Sequence, residues 1–274
     1  MGDLSVIVNG VSDNEKFYKK LFAELGSELA VDVNDNTITF HNLCEKNVGR
    51  FRNILAKSIV SEFQKKILVR AVNKNCDGFD KSDKIEIWKI SMRQLLEDEF
   101  SNNTDYNDRI RIVENGLKKC FDESDVISLE GFVNFRMSDY TDELSDVIDM
   151  SVQEYMIELE YKEFVKMLKY FLSVQSSRYL SVDVIYGNEI LIYGDGKDVT
   201  DECVAEYISE ISDGIENRED FVLNSLIIMA PRKVRFHIQG IAPDKELADT
   251  LKNVFGERIV FINKNENVKS DMLR

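Results

Sequence analysis

The feature that most constrains this chain is a proline-free apolar stripe running from about residue 128 to residue 175. Phe132, Phe135, Tyr140, Leu144, Val147, Ile148, Val152, Tyr155, Met156, Leu159, Val165, Leu168, Phe171 and Leu172 recur three and four positions apart, the spacing of one helical face. Asp142, Glu143, Asp146, Asp149, Glu154, Glu158 and Glu163 fall largely off that stripe. The pattern predicts one helix of about forty residues, or two helices with a bend, spanning ~50–60 Å at 1.5 Å per residue. Few globular domains contain so long a helix. It is expected to be a spine that packs against neighbouring helices or against a partner.

The rest of the chain is read around that spine. Leu4–Val8 is a short apolar strand, and Ser12 three before Glu15 is a capping-box signature for a helix closed by Gly26. Leu29–Val33 and Thr37–His41, joined through Asn34-Asp35-Asn36, read as a hairpin. Residues 1–42 therefore predict a small βαββ unit. Residues 43–177 predict a helical region, with tracts from Phe51, from Ile85 to Phe100 and from Tyr106 to Phe121 leading into the long amphipathic helix. After Gln175 the apolar period changes from 3.6 to 2, and residues 178–264 predict an α/β unit ordered ββααβαβ. In it Pro231 ends one helix and Pro243 opens another. Its last βαβ is expected to be parallel. Residues 265–274 read as a frayed tail. The fold class is α+β.

Charge narrows the functional classes. The chain carries 50 acidic and 35 basic residues, a formal net charge of −15. Such a field repels nucleic acid and anionic lipid unless a local basic patch dominates. The densest basic stretch holds Arg50, Arg52, Lys57, Lys65, Lys66 and Arg70, interleaved with apolar residues as on a solvated helix face. The start of the chain lacks a basic, apolar leader, and no run approaches the ~18 apolar residues of a membrane span. A cytoplasmic protein that does not enter the membrane is expected.

Motifs for chemistry fail on specific residues. Cys44, Cys76, Cys120 and Cys203 form no metal-type pair, and His41 and His237 are the only histidines. Asn73-x-Asn75-x-Asp77-Gly78 opens like a calcium loop, but its twelfth position, which requires a bidentate Glu, is Lys84. Gly194-Asp195-Gly196-Lys197 lacks the spacing of a phosphate loop and reads as a strand-end turn. No cofactor or metal is expected. His237 is the residue left for chemistry. It shares one side of its strand with Arg235 and Gln239 if Val234, Phe236 and Ile238 face the core.

Residues 129–140, LEGFVNFRMSDY, resemble the LEGFxxFRLxxY segment of the YtxC-like sporulation proteins of spore-forming Firmicutes. Residues 158–164 (ELEYKEF), 168–175 (LKYFLSVQ), 226–231 (LIIMAP) and 233–237 (KVRFH) are similar to later elements of that family, in the same order. Family members often carry a cysteine pair after the last strand; residues 262–266 here hold none, so a metal or redox role built on that pair fails for this chain. The resemblance implies a cytosolic, sporulation-linked protein and no defined reaction. In the motif, Phe132, Phe135, Arg136 and Tyr140 are expected on one helical face, as core anchors or as an exposed aromatic–arginine patch, with Arg136 paired to an acid such as Glu160. Glu160 and Tyr161, from the second element, complete the candidate binding residues with His237 and Gln239. The leading expectation is a scaffold with a protein partner. An enzyme built around His237 and a nucleic-acid module using residues 50–70 are the alternatives.

Overall fold

The computed structural model describes residues 3–26, 30–41, 43–210 and 217–263. Leu29, the end of the helix expected to reach Ser212, and the tail all lie outside these residues. The chain divides into two compact units, Met1–Ile157 and Glu158–Arg274.

The first unit opens with β1 (Leu4–Ile7), α1 (Asn14–Leu25) and the hairpin β2 (Ala30–Asn34) and β3 (Thr37–His41). The cap of α1 is Asp13, whose carboxylate accepts from the Lys16 amide at 3.0 Å. Ser12, expected in that role, instead donates its hydroxyl and amide to Glu62 at 2.6 and 2.8 Å. Then come α2 (Glu45–Asn75), α3 (Lys81–Ser101) and α4 (Thr104–Glu123). Asp80 caps α3, accepting from the Asp83 amide at 2.9 Å and the Ser82 hydroxyl at 2.7 Å. The stretch that resembled a calcium loop is thus the last turn of one helix and the cap of the next.

A strand that periodicity missed follows. β4 (Val126–Ser128) pairs parallel to β1, which also pairs antiparallel to β3, and the sheet order is β2-β3-β1-β4. Three residues are too few to show an alternation. The sheet ties residues on both sides of the helical tract into one core, with Val6, Ile38, Phe40, Leu55, Ile59, Leu95 and Leu117 at its centre.

The long stripe forms two helices, α5 (Leu129–Phe135) and α6 (Ser138–Val174). The chain leaves the helix at Arg136, whose φ and ψ are −124° and 4°. The 37 residues of α6 give it a length of about 56 Å. Its first part fills the first core with Tyr140, Leu144, Ile148 and Tyr155. Buried Ser91 and Ser151 hydroxyls meet at 2.8 Å, which lets α3 and α6 approach closely. Gly116 of α4 faces the Phe132 ring; a Cβ there would stand 3.2 Å from it.

The second unit holds β5 (Ser181–Tyr186), β6 (Ile190–Gly194), the two-residue β7 (Lys197–Asp198), α7 (Thr200–Glu210), α8 (Arg218–Met229), β8 (Lys233–Ile238), α9 (Lys245–Phe255), a short 3₁₀ turn and β9 (Ile259–Asn263). The sheet order is β7-β6-β5-β8-β9, antiparallel through β5–β7 and parallel through β5, β8 and β9. The expected parallel end is present, and β7 is an addition to the expected order. The glycine-rich turn is a tight hairpin, with Asp195 and Gly196 at φ 47° and 82°. Its Asp195 carboxylate accepts from the Leu180 and Ser181 amides at 3.2 and 2.9 Å, which ties the turn to the start of β5.

Tyr140 is buried and its hydroxyl has no hydrogen-bond partner; burial pushes its pKa up. An unsatisfied buried hydroxyl costs stability, whereas the ring fills space. Tyr140→Phe is expected to leave the chemical-denaturation midpoint unchanged or to raise stability by up to about 1 kcal/mol, and Tyr140→Ala to lose about 3–5 kcal/mol.

Candidate functional site

The α5–α6 corner separates the four motif residues. Phe132 and Tyr140 are core side chains, whereas Phe135 is 82% exposed. Arg136 donates to Glu123 Oε2 at 2.8 Å, not to Glu160. The common face expected of these residues requires helical geometry through 136 and 137, and the corner removes it. A cavity of about 230 Å³ lies beside the corner, lined by Gly116, Lys119, Arg136 and Ser138 among others.

Tyr161 and Glu160 diverge as well. The Tyr161 hydroxyl accepts from Asn253 Nδ2 at 3.0 Å and lies 3.2 Å from Thr250 Oγ1, which joins α6 to α9 within the second unit. A shallow polar depression there is lined by Tyr161, Lys245, Asp249 and Lys252. Glu160 is exposed.

The second part of α6 carries two kinds of apolar residue. Val165, Leu168 and Leu172 enter the second core. Ile157, Phe164, Met167, Phe171 and Val174 belong to neither core and are 40 to 67% exposed. With Glu160 they stand at alternating spacings of three and four, which places them along one line of the helix. The stripe read from the sequence takes in only Phe171 of this line, and the other four residues lie on a second apolar line at the same helical spacing. An open apolar groove of about 900 Å³ on α3 is lined by Trp88, Met92, Leu96 and Phe100, among others.

The strand histidine has partners that the sequence reading missed. β5 and β8 pair with Asp183 opposite Arg235 and Ile185 opposite His237. His237 Nε2 lies 3.0 Å from Asp183 Oδ1, and Arg235 donates Nε and an Nη to the two Asp183 oxygens, each at 2.6 Å. Burial raises the Asp183 pKa, but the hydrogen bonds from Arg235 and His237 and the Arg235 charge outweigh it, and the carboxyl is held below its ordinary value. An ionised carboxylate only accepts, so in the neutral ring the proton sits on Nε2 and Nδ1 keeps its lone pair. That arrangement orients a base. Gln239 lies past the strand end, its amide bonded to the Tyr186 carbonyl at 2.7 Å, and does not join the network. Strands about fifty residues apart in sequence cannot be registered by inspection, which is why Asp183 was missed.

Among the described residues, no group of three or more His, Cys, Asp or Glu side chains is placed to hold a metal ion, and no helix is long and apolar enough to cross a membrane.

Geometry and sequence together define an α+β protein with one 37-residue helix and two mixed sheets. The pattern of the YtxC-like family matches residues 50–260, and the chain belongs to that family. It is similar to the protein called "Uncharacterized protein YtxC" of Bacillus subtilis (strain 168), at 25% identity over 142 residues. That alignment covers 51% of this chain and 49% of the relative, so the chain spans about half the length of the curated relative it matches. No solved structure matches.

Asp183 gives a pH prediction. A carboxyl with a depressed folded pKa contributes stability that is present above its unfolded pKa, about 4, and is lost as pH falls through the folded value. Asp183→Asn should therefore melt below the wild type at neutral pH, and the gap should close as pH falls below about 4. Thermal melts of both proteins across that range check it.

Proposed function

We propose that this chain is a cytoplasmic, sporulation-associated interaction scaffold whose contact surface is the outer line of α6. The observation that carries the reading is the exposed row Ile157, Phe164, Met167, Phe171 and Val174. Isolated exposed apolar residues are ordinary, whereas a contiguous row of large ones marks an interaction surface. Family membership supports the sporulation link through the resemblance described above.

The Asp183–His237 pair favours an enzymatic second reading, since it orients a ring nitrogen as a base. The nucleic-acid reading loses support. Arg50 reaches the Glu24 carbonyl at 3.3 Å, Lys66 the Gly10 carbonyl at 2.8 Å and Arg70 the Asn134 side chain at 2.9 Å, so these cations are engaged within the fold.

A photo-crosslinking residue at Met167 tests the scaffold reading in sporulating cells, with one at Lys169, on the opposite side of α6, as control. Defined protein adducts are expected from position 167 and not from 169. Equal adducts from both positions, or none from 167, contradict the proposal. His237→Gln should leave the adducts unchanged; their loss would favour the second reading.

A further inference from the structure

We infer that the occupant of the α6 outer line is an amphipathic helix of another protein, its apolar stripe bordered by Lys and Arg. This rests on the interaction reading and adds the chemistry of the partner. The spacing selects a helix. Ile157, Glu160, Phe164, Met167, Phe171 and Val174 follow the alternating three-and-four interval of a coiled-coil seam over about 26 Å. A second helix laid along such a seam inserts its own side chains between these residues.

Charge selects the border. At about 100° per residue, Glu160 projects on the seam and Glu163 beside it. Lys162, Lys166 and Lys169 project from the far side of the helix. Lys162 meets Glu158 and Lys166 meets Glu163, each at 3.5 Å and both exposed, so these pairs screen the seam only weakly. The chain as a whole carries −15.

The same charges argue against a second copy of this chain. Two parallel copies would set Glu160 against Glu160. Antiparallel copies with Phe164 against Met167 would set Glu160 against the Phe171 ring. In either case a carboxylate would be covered without a cation, which is costly. A helix bordered by Lys or Arg supplies that cation. An anionic lipid surface is repelled by the same border.

The test measures fluorescence anisotropy of two labelled synthetic helices, added separately to the full chain. Both carry a leucine stripe, one bordered by lysine and the other by glutamate. The lysine helix is expected to bind at least about tenfold more tightly, with affinity falling as salt rises. Phe164→Ser combined with Phe171→Ser should weaken it at least about tenfold with net charge unchanged, which separates seam binding from general attraction to an acidic protein. Glu160→Lys with Glu163→Lys should reverse the preference between the helices. Equal binding of the two helices, or lysine-helix binding that survives the double serine variant, overturns the inference. So does a concentration-dependent dimer in sedimentation, or pelleting with phosphatidylglycerol vesicles, that the serine variant abolishes. If adducts from position 167 persist while charge reversal changes nothing, this inference falls and the interaction reading stands. If those adducts are absent, both fall.

Discussion

A helix of 37 residues with neither proline nor glycine must place its apolar side chains somewhere along its whole length. Water tolerates the backbone, since the helix satisfies its own hydrogen bonds, but not an unbroken apolar surface. In the first unit, Tyr140, Leu144, Ile148 and Tyr155 of α6 close a core built by a small sheet and helices α1 to α5. In the second, Val165, Leu168 and Leu172 join the covered face of a five-stranded sheet. Among the apolar residues that α6 does not bury, the line from Ile157 to Val174 gives the molecule a candidate function.

The second sheet repeats this logic on a smaller scale. Val182, Val184, Val234 and Phe236 point into the core, and the alternation sends Asp183, Arg235 and His237 to the other side. A half-buried carboxylate there would be costly without partners, and the parallel register supplies two. The Asp183 network has a structural explanation that is complete without catalysis: it neutralises one acid and orders two neighbouring strands. It is also the geometry from which base chemistry would start.

The helices were legible in the sequence because their apolar residues keep a 3.6-residue period and some ends carry stop and start signals, such as Pro231 just after α8 and Pro243 shortly before α9. The C-terminal strands were legible because Leu180 to Tyr186 and Val234 to Ile238 alternate. Three features were not. β4 is held by pairing with β1, a long-range contact that leaves no mark on three residues. The turn at Arg136 breaks a stripe whose spacing continues across it, so Phe135 and Arg136 were assigned a face that they do not share with Tyr140. Asp183 meets Arg235 and His237 only after two strands from distant parts of the chain are aligned. The candidate surface on α6 was barely legible: of its residues only Phe171 stands in the apolar stripe, and Ile157, Phe164, Met167 and Val174 fall on a second line at helical spacing that the stripe left out.

The central claim, that α6 presents an apolar line to solvent, can be checked without altering the chain. Peroxide oxidation of the native protein, followed residue by residue by mass spectrometry, reports the access of solvent to each methionine. Met150 and Met167 should oxidise far faster than Met137 and Met229, which are buried in the first and second cores. Met167 protected as strongly as Met229 in the isolated protein would contradict the account.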